Sequence, residues 1–299
     1  MNISVVIPTY RNEKGLVENL KRNMPYFKGC EVIVVNDDPT TFVLDAMSYF
    51  PEVTLIENKN NRGFSGAVNT GVNAAKNAYV FLCNDDVLLK DAQFTSLISQ
   101  FEKDRHLFAI SLKQIEKDGS PVGKNIICWK DGFIQHSKAH DITSGVNGWA
   151  EGGASLVDAA KFRGLGGFDE LYRPFYWEDI DLSYRAWKKG YVILFASEVE
   201  VEHHHETTIS KHFSKNYITA IAYRNQLIFI WKNISSLSLI ITHTFALLKR
   251  IIRSILTGDR AFLSGFVQAA IRFPFILFKR LSVPHNVTDH EILNQFTKN

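Results

Sequence analysis

Three carboxylates stand within four residues where a helical pattern begins: Glu178, Asp179 and Asp181. Glycines and a run of aromatic residues precede them between positions 164 and 177, and the helical pattern stops at Gly190. Carboxylates at a helix start, beside rings that exclude water, suit a positioned general base. Acidic residues in the first turn also complement the helix dipole without any catalytic role. This segment alone does not decide between the two interpretations.

Acidic pairs also follow two of the predicted strands. Asn36-Asp37-Asp38 comes directly after the apolar run Glu31–Val35, and Asn84-Asp85-Asp86 comes directly after Tyr79–Cys83. A carboxylate in the first tripeptide can accept a hydrogen bond from the N3–H of uracil or thymine, or from a ribose hydroxyl. Oxygen ligands in the second suit Mg²⁺ or Mn²⁺ holding a diphosphate. Both tripeptides are also common turn or helix-cap sequences, so each one alone is ambiguous.

Two more polar segments can bind ligands. A glycine-bearing loop that contains Arg62 and Gly63 matches neither a dinucleotide fingerprint nor a Walker A motif. It can still place backbone N–H groups and a guanidinium near phosphate or sugar, although its glycines can equally serve close helix packing. The run His203-His204-His205 ends a predicted strand, where it is either part of a metal site or a solvated strand end. In an extended chain, His203 and His205 share one face.

Short buried strands alternate with helical patterns in the first part of the chain. This alternation predicts an α/β fold with βαβ units and a mainly parallel sheet, in which ligands bind at the carboxyl ends of the strands. The segment Ser111–Gly153 has weak periodicity and predicts a hairpin and a loop for acceptor contacts, and after Phe213 the pattern is helical to about Leu281. The predicted strands are Ile3–Pro8, Glu31–Val35, Val53–Glu57, Tyr79–Cys83, Tyr191–Ala196 and Val199–His205, and the predicted early helices are Asn12–Met24, Thr41–Phe50 and one ending at Ala75.

The bulk composition is that of a globular protein with a sizeable core, since 45% of the 299 residues are hydrophobic and 22% are charged. The three cysteines lie far apart with no CxxC spacing, which favours a reducing compartment over a disulfide framework or a zinc site. The amino-terminal residues start directly on a strand pattern and lack the basic and long apolar regions of a signal peptide. We therefore expect a cytoplasmic protein.

The net charge of +3 is unevenly distributed. Between Lys232 and Leu281, eight basic residues stand against one acid, Asp259, so this segment carries +7. Long aliphatic runs separate the basic residues, which is not typical of a nucleic-acid reader. The apolar run Ile234–Leu248 has 15 residues, fewer than the roughly 20 that a membrane-spanning helix needs. The pattern predicts helices on an anionic membrane surface, or else a helical layer packed on the catalytic domain or on a second subunit.

Together these segments resemble the family 2 glycosyltransferases of the GT-A fold, in particular bacterial rhamnosyltransferase-like enzymes of polysaccharide assembly. The resemblance covers about residues 3–210, and YRNQLIFIWKN at 223–233 is similar to an RN-containing helix of enzymes that build polysaccharide on lipid carriers. The QxxRW element of processive members is absent, which favours the addition of one or a few sugars. The matching segments are SVVIPTYRNE at 4–13, VIVVNDD at 32–38, NRGFSGAVNTG at 61–71, FLCNDDV at 81–87, GG at 152–153 and GGFDELYRPFYWEDIDLSYRAWKKGY at 166–191.

The resemblance implies a nucleotide site at the strand ends with a divalent cation beside it. The DxD element of the family falls on Asn84-Asp85-Asp86, with Asn84 in place of the first acid. Asp86 and His203 would hold Mg²⁺ or Mn²⁺, with His205 as the alternative ligand two residues on. The implied nucleotide-binding residues are Pro8, Thr9, Asp37, Asp38, Arg62, Gly63, Asn84 and Asp85.

The resemblance also implies a catalytic pair, with Asp179 as the base and Glu178 as the neighbour that tunes or positions it, while Asp181 is expected to be structural. A single inverting displacement would move a sugar from a UDP- or dTDP-linked donor to a glycan or a polyprenyl-diphosphate-linked acceptor, in bacterial cell-surface polysaccharide synthesis. The alternatives are a nucleotidyltransferase on a similar fold and a non-catalytic, membrane-bound scaffold.

The expected organisation is a GT-A catalytic domain at 1–212, with a nucleotide-binding half to about residue 110 and an acceptor-binding half at 111–212. A helical, membrane-associating extension would follow at 213–299. The expected location is cytoplasmic and peripheral on the inner face of the cell membrane. No nucleic-acid partner is expected, and a homo-oligomer is left open.

Overall fold

A ten-stranded sheet underlies the structure, a computed structural model that describes residues 2–41, 43, 47–203 and 213–296. In chain order the strands of the described ranges are β1 (Ile3–Thr9), β2 (Glu31–Asn36), β3 (Val53–Glu57), β4 (Tyr79–Cys83), β5 (Val87–Leu89), β6 (Leu107–Ile115), β7 (Pro121–Val122), β8 (Asn125–Lys130), β9 (Phe133–Lys138), β10 (Gly145–Val146), β11 (Ala154–Asp158) and β12 (Val192–His203). Across the sheet the order is β10-β12-β6-β11-β4-β1-β2-β3, with β5 on β12 and β7 on β6, while β8 and β9 form a separate hairpin.

The first four strands form the parallel part of the sheet. Strand β1 pairs in parallel with β2 and β4, and β2 pairs in parallel with β3. Strand β11 runs antiparallel between β4 and β6, and β12 is parallel to β6. The predicted α/β fold with a mainly parallel central sheet is therefore confirmed. Because β1 and β2 end in register at Thr9 and Asn36, the residues that follow these strands meet at one edge.

Helices lie in the segments predicted before Met24, Ala75 and Gly190 and after Phe213, whereas those at Ile98–Lys103, Ala159–Gly164 and Asp289–Asn294 were not predicted. Within the described ranges they are α1 (Glu13–Asn23), α2 (Gly63–Ala74), α3 (Ile98–Lys103), α4 (Ala159–Gly164), α5 (Glu178–Lys189), α6 (Lys215–Asn233), α7 (Leu237–Thr257), α8 (Arg260–Ile271), α9 (Phe273–Arg280) and α10 (Asp289–Asn294), with single 3₁₀ turns at Gln93–Leu97 and Glu170–Tyr172. The helix predicted at Thr41–Phe50 includes positions 42 and 44–46, which lie outside the described residues.

The prediction of two strands after Gly190 was wrong, because β12 is one strand. It pairs with β6 on both sides of a register irregularity between Ala196 and Glu200, so the polar residues in between interrupt the apolar pattern without ending the strand. His203 is its last residue, and His204 and His205 lie outside the described residues. The hairpin expected within Ser111–Gly153 is β8–β9.

Alternating side chains of β1 fill hydrophobic clusters on both faces of the sheet. Val5 and Ile7 belong to a cluster with Leu16 of α1, whereas Val6 belongs to the cluster that contains α2. A Cβ atom at Gly71 of α2 would lie 2.3 Å from the side chain of Val6, so glycine is needed for this close approach. At this position the glycines of the 61–71 segment serve helix packing.

The carboxyl-terminal helices pack against the elements that carry the carboxylates. The Nδ2 atom of Asn225 in α6 lies within hydrogen-bond distance of three backbone carbonyls just before α5, those of Tyr172 (2.9 Å), Phe175 (2.9 Å) and Tyr176 (2.8 Å), which share its two hydrogens. Helix α10 contributes Asp289, which is wholly buried and accepts a hydrogen bond from Tyr184 of α5 at 2.7 Å. Helix α5 is therefore held from two sides by the last third of the chain.

A buried ionic cluster joins α5 to α6. Asp181 is fully buried, and one of its oxygens accepts from Lys232 Nζ and Arg185 Nε, each at 2.9 Å. The other oxygen accepts from Tyr172 Oη at 2.7 Å and Asn233 Nδ2 at 2.8 Å. Although burial opposes ionisation, the charges of Lys232 and Arg185 lower the pKa of Asp181 well below its usual value. The structural role expected for Asp181 agrees with these contacts.

Among the described helices, none is by itself long and apolar enough to cross a membrane. Helices α8 and α9 reach the necessary length and hydropathy only when they are taken together, and the chain bends by 60° at their junction.

Lys232→Met is expected to destabilise the fold by about 3–5 kcal/mol, because it leaves Asp169 and Asp181 buried without their shared cation. Urea unfolding of the purified protein measures this loss. Lys279→Met is the matched control, since Lys279 lies 3.7 Å from Asp169 with a half-exposed side chain and should cost no more than about 1 kcal/mol. Equal losses in the two variants would contradict the role given to the buried cluster.

Candidate functional site

A cleft of about 440 Å³ opens where the parallel strands end. Ten of the residues predicted to form a site line this cleft, and they come from six separate parts of the chain. They are Pro8, Thr9, Asp37, Gly63, Asn84, Asp85, Asp86, Glu178, Asp179 and His203. The other lining residues are Tyr10, Asn61, Phe64, Ala67, Trp149, Glu151, Gly152, Gly153, Pro174, Phe175, Tyr176 and Phe213.

Asp37 lies in the cleft wall with its carboxylate held by N–H donors. Asn58 Nδ2 donates to it at 2.8 Å, and the backbone N–H of Arg62 lies 3.0 Å from both oxygens. Burial raises the pKa of Asp37, and these hydrogen bonds oppose that effect. The guanidinium of Arg62 pairs with Glu170, and Arg62 is not among the lining residues. Its backbone, rather than its charge, therefore contributes to this wall.

Asp38 lies beside the cleft and is not among the lining residues. Its carboxylate accepts hydrogen bonds from the N–H (2.9 Å) and hydroxyl (2.7 Å) of Thr40, the hydroxyl of Thr41 (2.9 Å) and Nε of Arg11 (3.1 Å). Although burial acts in the opposite direction, these donors lower the pKa of Asp38 to about 2. Asp38 thus organises the turn after β2, and its predicted contact with a nucleoside stays a prediction.

Asp85 accepts a hydrogen bond from Thr9 Oγ1 at 2.6 Å, which joins the ends of β1 and β4. Burial raises the pKa of Asp85 to about 7, with the Thr9 hydrogen bond acting against the rise and the charge of Asp86 adding to it. A carboxyl group whose pKa is raised by burial and a neighbouring anion is stabilised in its charged form by a cation.

Two oxygen atoms beside Asp85 are left without a hydrogen-bond donor, as ligands of a cation would be. Asn84 Oδ1 and Asp86 Oδ1 are buried and accept no hydrogen bond. His203 Nε2 lies 3.1 Å from Asp86 Oδ1, while its Nδ1 contacts Gln114 Oε1. Carboxylate, amide and imidazole groups of this kind fit Mg²⁺ or Mn²⁺, with further ligands coming from a diphosphate and water. Within the described residues, no group of three or more His, Cys, Asp or Glu side chains is arranged to hold a metal ion.

Helix α5 begins from a constrained backbone that aims its first residues at the cleft. Tyr176 (φ 70°) and Trp177 (φ 78°) both adopt the left-handed conformation that side chains disfavour. The Asn225 hydrogen bonds to the carbonyls of Phe175 and Tyr176 hold this turn. The turn therefore depends on α6.

Asp179 and Glu178 have different surroundings at the start of α5. Burial, together with the negative charge of Glu151, raises the pKa of Asp179 to about 7. Glu178 is buried, its Oε2 atom accepts no hydrogen bond, and burial with the charge of Asp179 raises the pKa of Glu178 well above its usual value. The pair can therefore hold one proton on Glu178 while Asp179 exchanges its proton near neutral pH.

Sequence reasoning missed Glu151, and it did not indicate what Gly153 and Asn225, two residues of the matched segments, contribute to the candidate site. Glu151 enters the cleft beside Asp179, although only the glycines after it were noted. A Cβ atom at Gly153 would lie 2.6 Å from Asn84 Nδ2 and 3.2 Å from His203 Cε1, so Gly153 makes room for the candidate cation ligands. Asn225 supports the start of α5, and its signal was the RN pair within YRNQLIFIWKN.

Residues 4–149 match the model of glycosyl transferase family 2. This part of the chain belongs to that family. The GlyG glycosyltransferase of Streptococcus pneumoniae serotype 4 is 32% identical over 106 residues, which cover 34% of this chain and 35% of GlyG. An N-acetylglucosaminyl-diphospho-decaprenol L-rhamnosyltransferase of Mycobacterium tuberculosis is 42% identical over 57 residues, 19% of this chain and 18% of that enzyme. The chain thus spans about a third or less of these relatives' lengths.

Solved structures of glycosyltransferases share the fold. GalNAc-T7, solved with UDP, GalNAc and Mn²⁺, superposes with a TM-score of 0.61 at 16% identity, over 77% of this chain and 47% of that one. TarS of S. aureus, solved with UDP-GlcNAc, has a TM-score of 0.58 at 14% identity, over 100% of this chain and 91% of that one. The fold is therefore GT-A, as the sequence predicted.

Proposed function

We propose that this protein transfers a sugar, with inversion, from a nucleoside-diphosphate donor to a hydroxyl group of an acceptor. The observation that carries the proposal is the convergence of four carboxylates and an imidazole in one cleft. Asp37 offers a hydrogen-bond acceptor, Asp85 and Asp86 offer carboxylates beside His203, and Asp179 offers a base whose pKa is near 7. The family match over residues 4–149 supports the same reaction class. So do the complexes of GalNAc-T7 with UDP, GalNAc and Mn²⁺ and of TarS with UDP-GlcNAc.

The donor would lie along the strand ends. Asp37 would accept a hydrogen bond from the nucleoside, at the N3–H of uracil or thymine or at a ribose hydroxyl. Asp86 and His203 would hold Mg²⁺ or Mn²⁺ beside the diphosphate. When bound, such a cation supplies positive charge that offsets the negative charge on the departing nucleoside diphosphate. Asn84 and Asp85 would orient the diphosphate or ribose.

The base would act from the start of α5. Asp179 takes the proton of the acceptor hydroxyl while that oxygen forms a bond to the anomeric carbon. The bond from that carbon to the diphosphate oxygen breaks with its electron pair, so the configuration inverts. Glu178 stays protonated beside it, which leaves the negative charge of the pair on Asp179. The aromatic rings of Phe175 and Trp177, both buried, exclude water from this turn.

For the acceptor we propose a glycan on a polyprenyl diphosphate, made at the inner face of a bacterial cell membrane. The name of the M. tuberculosis relative describes such an acceptor. The surface of the last helices also supports it, because fifteen of the twenty large hydrophobic side chains that are exposed in the described residues lie between Leu237 and Leu281. Among them, Phe245, Leu256 and Leu281 are each more than two-thirds exposed.

The charge of this apolar surface favours an anionic bilayer over a second copy of the chain. Lys249, Arg253, Arg260 and Lys279 are exposed within it. Asp259, the one acid between Lys232 and Leu281, is already paired with Arg250 at 2.7 Å. A symmetric dimer through this face would place positive charge against positive charge, whereas anionic lipid would neutralise it.

Release of a nucleoside diphosphate tests the reaction class. The protein is incubated with Mg²⁺ or Mn²⁺ and a panel of UDP-, GDP- and dTDP-sugars, and Asp179→Asn should lower kcat by about 10²–10⁴-fold with little loss of donor binding, because only the base is removed. Asp118→Asn, on an exposed turn, is the matched control. Near-native turnover of Asp179→Asn would refute the role of Asp179 as the base. Release of pyrophosphate from a nucleoside triphosphate would indicate a nucleotidyltransferase. No release of either product would indicate a non-catalytic scaffold.

The pH profile tests the environment of the base. Because burial and Glu151 raise the pKa of Asp179 to about 7, kcat should fall as pH decreases through about 7, where the base becomes protonated. Glu151→Gln removes one negative charge and should move this midpoint to lower pH. Asp85 also has a pKa of about 7, but its neighbouring charge is Asp86, so an unmoved midpoint would assign the titration to Asp85 instead.

Vesicle binding tests the membrane surface. Lys249→Glu combined with Arg253→Glu should weaken co-sedimentation with vesicles containing anionic lipid at least about 30-fold, since each basic residue near such a surface contributes about 1 kcal/mol. Lys28→Glu combined with Lys103→Glu, both exposed on the sheet domain, makes the same change in net charge and should have little effect. Equal binding by both pairs, or a dimer in sedimentation equilibrium without lipid, would reject the membrane assignment.

A further inference from the structure

A chain of contacting side chains runs from the candidate cation ligand His203 through Gln114 and Glu151 to Asn125. Gln114 of β6 is fully buried, and its Oε1 contacts His203 Nδ1. Its Nε2 contacts Glu151 Oε2, and the other oxygen of Glu151 accepts from Asn125 Nδ2 at 3.0 Å. Asn125 is itself buried, and its Nδ2 also contacts the carbonyl of Gly123 at 3.2 Å. Each group in the chain therefore has its orientation set by the next.

The directions of these hydrogen bonds determine which nitrogen of His203 carries hydrogen. A carboxylate only accepts, so the group of Gln114 that faces Glu151 must be its NH₂. The carbonyl oxygen of Gln114 then faces His203 and also only accepts. His203 Nδ1 must therefore carry the hydrogen, and in a neutral imidazole the lone pair lies on Nε2.

This tautomer defines the contact between His203 and Asp86. In it, the unprotonated Nε2 atom lies 3.1 Å from Asp86 Oδ1, an oxygen that accepts no hydrogen bond. Two electron-rich atoms at this distance repel unless a metal cation or a proton lies between or beside them. A metal cation bound by both atoms relieves this repulsion.

We propose that Gln114 and Glu151 are positioning residues that fix His203 as an Nε2 ligand and so prepare the cation site before the donor binds. The proposal rests on the cation site of the proposed function and assigns two residues to it that do not touch the cation. Outer hydrogen-bond partners of this kind typically change metal affinity 10–100-fold when removed.

Binding of Mn²⁺ in the presence of UDP, followed by the loss of the free-ion electron paramagnetic resonance signal, tests the proposal. Gln114→Leu should weaken Mn²⁺ binding by about 10–100-fold, because His203 loses its acceptor. The double variant Gln114→Glu with Glu151→Gln exchanges donor and acceptor between the two positions and should recover most of the affinity. Gln135→Leu, on an exposed part of β9, is the matched control and should bind like the native protein.

Nitrogen-15 spectra of histidine in the metal-free protein give a second measurement. The signals of His203 are identified because they are missing from the spectrum of His203→Ala. The native protein should show hydrogen on Nδ1 of His203, and Gln114→Leu should lose that preference while keeping a native circular dichroism spectrum. Native-like Mn²⁺ affinity in Gln114→Leu, or hydrogen on Nε2 in the native protein, would overturn the inference and leave the proposed reaction standing. A native protein that binds no Mn²⁺ would overturn the cation site and this inference together.

Discussion

Asp181 imposes the constraint on which the rest of the site depends. A fully buried carboxylate is tolerated only when its charge and lone pairs are matched, and here Lys232, Arg185, Tyr172 and Asn233 do so. Asp181 lies two residues after the candidate base, so the same contacts that satisfy it fix the start of α5. The position of the candidate base Asp179 is thus determined by Asp181, whose own role is structural.

The last helices consequently support the candidate site as well as forming a surface. Asn225 holds the left-handed turn at Tyr176 and Trp177. Lys232 neutralises the buried carboxylates of Asp169 and Asp181. The same segment exposes an apolar and basic face on its outer side. A membrane bound at that face would therefore contact helices that pack directly against α5, the helix that carries the candidate base. A boundary at residue 212 separates two patterns in the sequence, yet the contacts across it are buried and polar.

Strands and their polar ends were predictable because both depend on local pattern. The apolar runs of β1, β2 and β4 indicated burial, and the parallel arrangement brought Thr9, Asp37 and Asp85 to one edge. The division of labour within each acidic pair was not predictable. Asp37 faces the cleft and Asp38 faces its own turn because of Thr40 and Arg11, which only the folded backbone brings close.

Long-range contacts also explain what the sequence could not indicate. Glu151 approaches Asp179 from a loop 28 positions earlier in the chain, and nothing in its local pattern marks it. In the sequence, Gln114 is an ordinary polar residue of a strand. Its importance follows from its contact with His203, which lies 89 positions later in the chain. Asp181 was expected to be structural, but its cation, Lys232, lies 51 positions further on, and nothing in the local pattern indicates that pairing.

That separation has a consequence for how the protein is made. Lys232 is synthesised 51 residues after Asp181, which at about 5–20 residues per second is a delay of roughly 3–10 s. During this interval β1, β2 and β4 and the residues that follow them have already been synthesised, but α5 has a carboxylate that cannot yet be buried at low cost. The nascent chain can therefore bring Thr9, Asp37 and Asp85 together before the candidate base is in place. The complete geometry of the candidate site would be among the last properties to form.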